Sequence, residues 1–272
     1  TAAIDRTVPS ADGVPIHFRA EGKGNPAVVL VHGWATDGGI WEHQIDKIRR
    51  RHRVVVVDLA GHGKSGSGRT DWTIPAYAGD VRAVLEALDL RGAILVGHSM
   101  SGYVVVETAR QAPTRVGALI PVDTLQDVEE RPDPTEFEAF IDSLRRDFKG
   151  TAADFVRGMF PGEAERSVVE RVVRQVQALS PEVGIPSLRG VAAFDIEAAL
   201  AQVRQPIRCI NATRPPTNLE VNRRYAPQFD AVLLEGVGHF PMLERPKEFN
   251  RLLERAIDGL ASAASARGEG TS

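Results

Sequence analysis

The stretch Leu95-Val96-Gly97-His98-Ser99-Met100-Ser101-Gly102 limits what this chain can fold into more than any other. An apolar run from Ala93 to Val96 stops at a glycine, a serine follows two positions later, and small residues at 101 and 102 open a helical pattern. The order is strand, sharp turn, helix. A serine at such a corner takes an unfavourable backbone conformation, which is tolerated only where its neighbours are small enough for strand and helix to approach. The corner lifts the Ser99 hydroxyl out of the sheet and aims the Met100 backbone N–H at whatever that hydroxyl attacks. Taken alone, a glycine-containing turn between any strand and any helix explains the motif equally well.

The octet resembles the nucleophile elbow of the α/β-hydrolase family, with Ser101 in place of the last glycine of G-x-S-x-G, so a slightly tighter turn is expected. Two further segments carry the same resemblance. The run Ala27-Val28-Val29-Leu30-Val31 is continuously apolar, as a strand covered on both faces should be, and it ends in His32-Gly33-Trp34. In the family a His-Gly pair here begins the loop whose next backbone N–H is an oxyanion donor. The resemblance therefore implies Trp34 and Met100 as the two donors, with His32 bracing the loop. After Val54-Val55-Val56-Val57, the segment Asp58-Leu59-Ala60-Gly61-His62-Gly63-Lys64-Ser65 is similar to the family's D-x-x-G-H-G-x-S turn. Asp58 and His62 are read as structural, since neither a His-x-x-x-His helix nor a cysteine cluster accompanies His62 to make a metal site.

The pattern along the rest of the chain is consistent with that frame. Alternating apolar residues on either side of Asp12-Gly13 predict an N-terminal β-hairpin at a sheet edge. Trp41, Ile45 and Ile48 recur at helical spacing. Thr73 caps a helix with Pro75 in its first turn and Tyr77, Val81, Val84, Leu85 and Leu88 on one face. Strands alternate with helices, which predicts right-handed crossovers and a largely parallel sheet. Further strands are predicted at Ala118 to Asp123, Pro206 to Ala212 and Ala231 to Glu235. Between the first two, residues 124–190 offer no strand but two helical faces, Phe137/Phe140/Ile141/Leu144/Phe148 and Val168/Val169/Val172/Val173/Val176/Leu179.

The expected fold class is thus α/β, and by resemblance the α/β-hydrolase fold: a mostly parallel eight-stranded sheet flanked by helices. Residues 1–123 and 191–272 are expected to form the core, and 124–190 a helical cap. A closing helix carries Phe249 to Leu260, and the Ala/Ser/Gly-rich tail beyond it is expected to fray.

A serine hydroxyl is a poor nucleophile at neutral pH and needs an adjacent base; histidine has the suitable pKa. Gly236-Val237-Gly238-His239-Phe240 resembles the family's G-H-F segment, which makes His239 the base. The base needs a carboxylate on its other ring nitrogen. Many relatives keep that acid in the loop after Ala212, yet no Asp or Glu occurs between Gln205 and Glu220. Asp123, at the carboxyl end of a predicted strand and so on the same sheet edge as Ser99, is the expected acid, ahead of Asp127 and Glu220. The order Ser99, Asp123, His239 matches the family's.

The predicted chemistry is acyl transfer on a small-molecule carboxylic ester or lactone through an acyl-enzyme on Ser99, with no cofactor and no metal. Carbon–carbon bond hydrolysis, cofactor-independent oxygenase or perhydrolase chemistry, and a small-ligand receptor of the same fold stay open as alternatives. A serine nucleophile disfavours the aspartate-based epoxide hydrolases and dehalogenases. Trp34, Met159, Phe160 and Phe240 are the candidate substrate contacts, in an apolar pocket of moderate size.

A net charge of −3 over 272 residues, with mixed signs, offers nucleic acid or an anionic membrane no basic stripe to bind. No apolar run approaches the roughly 20 residues of a membrane span. The single cysteine, Cys209, sits in an apolar stretch and is expected to be a small core residue. A cytoplasmic protein is favoured. The chain opens at Thr1, so some trimming is expected, and a secreted or periplasmic location after removal of a signal peptide stays open. The sequence does not address oligomeric state.

Overall fold

The structure is a computed structural model and describes residues 3–269. Its centre is one eight-stranded sheet in the order β1-β2-β4-β3-β5-β6-β7-β8. β1 (Ile4–Pro9) and β2 (Pro15–Glu21) form the expected antiparallel hairpin, with β1 at the edge. β2 runs antiparallel to β4 (Val54–Val57). From β4 onward every pairing is parallel, through β3 (Val28–Val31), β5 (Ala93–His98), β6 (Val116–Val122), β7 (Ile207–Ala212) and β8 (Phe229–Leu234). β3 lies between β4 and β5, so Val28 is flanked by Val54 and Ile94, and all of Val28–Val31 are inaccessible to solvent. Each such side chain contributes about 1.5–3 kcal/mol by leaving water. This explains why both runs are apolar without alternation.

Helices cover the two faces. A 3-10 turn (Gly38–Trp41) leads into α1 (Glu42–Ile48), and α2 (Ile74–Ala87) starts where Thr73 accepts the Ala76 N–H. α3 (Met100–Gln111) follows the Ser99 corner directly. β8 begins two residues earlier than the sequence pattern indicates, because Phe229, Asp230 and Ala231 already pair with Ile207, Arg208 and Cys209.

Between β6 and β7 there are only helices: α4 (Pro134–Arg146), α5 (Phe148–Arg157), α6 (Arg166–Ala178), α7 (Pro181–Ala193) and α8 (Ile196–Ala201). The sequence pattern groups Phe148 with the face of α4, whereas the structure places it in α5. Asp147 makes the break: it leaves helical geometry and its carboxylate accepts the Gly150 N–H, capping a new helix. After α9 (Leu219–Tyr225) and the short α10 (Pro241–Glu244), α11 spans Pro246–Glu269. The expected fraying after Leu260 is therefore not found up to Glu269, where alanine-rich sequence continues the helix; the last three residues lie outside the described residues. Cys209 is fully buried, as expected. Among the described residues no helix is long and apolar enough to cross a membrane.

Candidate active site

The carboxyl ends of β3, β5, β6 and β8 open onto one edge of the sheet, and each delivers one piece of the site. Ser99 follows β5 with φ 55° and ψ −120°, the strained corner read from the sequence. A Cβ on Gly97 would lie 2.2 Å from the Ser101 carbonyl oxygen, so only glycine lets strand and helix close to this distance. Ser101 contributes more than smallness. Its hydroxyl donates to the carbonyl of His32, tying α3 to the loop after β3.

That loop is fixed by two buried histidines. His32 Nδ1–H donates to the Gly33 carbonyl at 2.8 Å, and its Nε2 accepts the Leu59 N–H at 3.0 Å. His62 Nδ1–H donates to the Ala60 carbonyl at 2.9 Å and its Nε2 accepts the Ala35 N–H at 3.1 Å. Each ring needs one bare nitrogen for this, so both must be neutral. Burial pushes both pKa values down, that of His62 to about 3. Asp58 completes the turn by accepting from Gly38 N–H, Lys64 N–H and His17. The structural roles expected for His32, Asp58 and His62 follow from these bonds.

Asp123 stands immediately after β6, 4% exposed, with φ 47°. One carboxylate oxygen accepts the Ala212 N–H at 3.0 Å, from the end of β7, and lies 3.4 Å from Gln126 Nε2. The other accepts His239 Nδ1–H at 2.6 Å. His239 Nε2 in turn accepts the Ser99 hydroxyl at 2.8 Å. Ser99, His239 and Asp123 thus form one continuous hydrogen-bonded line, although they are 24 and 116 positions apart in the chain. Glu220, by contrast, is exposed on α9 beside Arg224, and Asp127 is engaged by Asn218.

Trp34 and Met100 both stand beside Ser99, in the wall of one cavity. Met100 is the first residue of α3, a position whose N–H has no acceptor inside the helix. Among the described residues the Trp34 N–H has no acceptor either. A Cβ on Gly33 would stand 2.9 Å from Ser99 Cβ, which shows how closely this loop approaches Ser99.

A cavity of about 130 Å³ opens beside Ser99, walled by Trp34, Met100, Phe155, Val156, Met159 and Phe240 among others. Of the four expected contacts, Trp34, Met159 and Phe240 line it. Phe160 does not: it stacks behind Phe240, ring centres 5.1 Å apart, because the chain turns after Met159. Phe155 and Val156 of α5 and Leu188 and Val191 of α7 take its place, residues that helical periodicity could not single out from ordinary packing positions.

The sequence reading also passed over two residues that hold His239. Glu244 accepts the Gly238 N–H at 2.8 Å with one carboxylate oxygen and the Phe240 N–H at 2.9 Å with the other. Burial raises its pKa. His98 Nε2–H donates to the His239 carbonyl at 2.6 Å. Burial and the neighbouring His239 hold His98 well below the usual histidine range, so it stays neutral. Neither could be recognised from spacing, since both act on backbone brought close only by the fold.

A family model described as "Alpha/beta hydrolase family" matches residues 28–252. The chain belongs to the alpha/beta hydrolase family. Within it, the chain is 27% identical over 248 residues to the pimeloyl-[acyl-carrier protein] methyl ester esterase of Nitrosomonas europaea, covering 86% of this chain and 96% of that one. A solved thermophilic esterase from Thermogutta terrifontis superposes with a TM-score of 0.82 at 25% identity, covering 96% of this chain and 100% of its own. A solved N-acyl homoserine lactone degrading enzyme gives 0.79 at 27% identity, covering 90% and 98%. For an α/β hydrolase, the sheet edge described above is where ligands bind.

Proposed function

We propose that this protein is a serine hydrolase that cleaves small-molecule carboxylic esters or lactones through an acyl-enzyme on Ser99. The observation that carries the reading is His239, with Ser99 Oγ 2.8 Å from one ring nitrogen and Asp123 2.6 Å from the other. Two relatives named as ester-cleaving enzymes and one named as a lactone-degrading enzyme, each at 25–27% identity, support the substrate class.

In this reading Ser99 attacks the carbonyl carbon while His239 Nε2 takes its proton. Asp123 holds the imidazole with its bare nitrogen toward Ser99 and stabilises the imidazolium that forms. The carbonyl oxygen, now negative, is met by the Trp34 and Met100 amides, a pair of donors of which either one is worth about 3 kcal/mol. His239 gives its proton to the leaving alkoxide. Water then enters, loses a proton to His239 and attacks the acyl carbon; the Ser99 oxygen leaves, taking that proton back from His239, and the acid is released. His98 remains neutral beside His239 throughout, so no second cation opposes the imidazolium. Residues 124–190 act as a cap in this scheme, with α5 and α7 presenting Phe155, Val156 and Leu188 over the nucleophile and Val191 following just past the cap's boundary.

The test is hydrolysis of a panel of short-chain p-nitrophenyl esters. Wild type turns over, Ser99→Ala loses at least about 10⁴-fold in kcat, Asp123→Asn is severely impaired and Glu220→Gln is not. Ligand binding without turnover of any ester, unchanged by Ser99→Ala, would replace this reading with a receptor.

A further inference from the structure

Two cavities meet at Ser99, one almost wholly apolar and one of mixed polarity. The first is the chamber of about 130 Å³ under α5 and α7. Its walls are fixed. The Trp34 indole N–H donates to the Gly184 carbonyl at 2.9 Å, the Trp34 ring packs on those of Phe148 and Phe155, and Phe240 is backed by Phe160. Apart from Ser99 and His239, the only other ionisable side chain on its wall is neutral His98. The volume is close to the roughly 150 Å³ that accommodates one benzene molecule.

The second cavity is a groove of about 500 Å³ along the loop after β6. Tyr103, Thr124, Gln126, Asp127, Glu130 and Arg131 line it. The Tyr103 hydroxyl has no partner among the described residues, and Glu130 and Arg131 are exposed. Ser99, Met100, Val191 and His239 belong to both cavities. The reacting carbon therefore sits at the junction, with one arm of the ester on each side.

We propose that the substrate is an asymmetric ester, one arm apolar and no larger than about six carbons, the other larger and carrying hydrogen-bonding groups. This rests on the ester reading above and sharpens it. A polar arm in the chamber would lose its water with nothing to replace it, at a cost of about 1–3 kcal/mol per group. In the groove the same arm keeps water and finds Tyr103, Gln126 and Glu130.

Two reciprocal ester series test it. In one, the acyl chain lengthens from two to ten carbons on a glycerol alcohol; in the other, the alcohol lengthens over the same range on a glyceric acid. In one series only, kcat/KM rises about fourfold per methylene, turns over near six carbons and falls at least tenfold by ten. Leu188→Ala, which removes part of the chamber wall, moves that turning point one to two carbons longer. A terminal hydroxyl on the chamber arm lowers kcat/KM at least tenfold. A turning point in both series or in neither, or one that Leu188→Ala leaves in place, overturns the proposal while the ester reading stands. Failure to cleave any ester of the p-nitrophenyl panel or of either series would instead remove the ester reading itself.

Discussion

Glu244 brackets His239, accepting the N–H of the residue before it at 2.8 Å and of the residue after it at 2.9 Å. The His239 backbone itself is held on both sides, its N–H by the Met159 carbonyl at 3.1 Å and its carbonyl by His98. These bonds fix the position of the imidazole, and in the proposed mechanism a displacement of about 1 Å costs about 100-fold in rate.

Glu244→Gln leaves one acceptor for two amides and turns an NH₂ group toward the second. The expected result is a fall in kcat of tenfold or more with KM changed less than threefold, read from steady-state ester hydrolysis. Glu244→Ala falls further. Because the wild-type pKa is raised by burial, the acid limb of the wild-type kcat profile contains a Glu244 component that Glu244→Gln removes. Identical pH profiles for the two proteins would contradict this role.

Ser101→Ala removes the hydroxyl that donates to the His32 carbonyl, leaving a buried acceptor unpaired at about 1–3 kcal/mol. The loop bearing the Trp34 amide loosens, so kcat drops several-fold and the melting temperature falls by a few degrees. A variant with wild-type stability would show that the bond contributes nothing.

Three buried histidines, His32, His62 and His98, have pKa values lowered chiefly by desolvation from the usual 6.5. The unfolded chain binds these protons near pH 6.5 and the folded chain refuses them. Stability is therefore fully present above the unfolded value and lost as pH falls below it. Each histidine contributes about 1.4 kcal/mol per pH unit until its folded pKa is reached. Urea unfolding at pH 8, 7, 6 and 5 should show this loss from these groups beginning below pH 7, and His62→Phe should flatten it by about one proton. An unchanged slope would show that His62 does not carry that share.

Asp123→Asn retains the size of the side chain but can present an NH₂ group to His239 Nδ1, selecting the wrong tautomer. A kcat loss of about 10⁴ is expected, with folding intact by circular dichroism. An Asp placed at position 213 or 214 in the Asp123→Asn background, in the loop where the sequence lacks an acid, tests whether that loop can reach His239. Partial recovery of kcat is the expected outcome.

The layout of the fold was legible because burial on two faces leaves a direct mark on sequence. Val28–Val31 and Val54–Val57 could only be inner strands, and the small residues around Ser99 could only serve a tight corner. Ser99 and His239 were readable since each sits in a local pattern. Asp123 was reached by the absence of an acid after β7 together with its place at a strand end, and the fold brings it to His239. What only the tertiary structure decided is whatever acts through backbone contacts or across the cap. Glu244 and His98 work on the peptide groups around His239, Ser101 on a carbonyl 69 residues away, and Phe155 and Leu188 line the chamber while Phe160 stands behind it. The reason is physical: side-chain periodicity reports which residues leave water, and it carries no record of which distant peptide group or cavity a buried residue then meets.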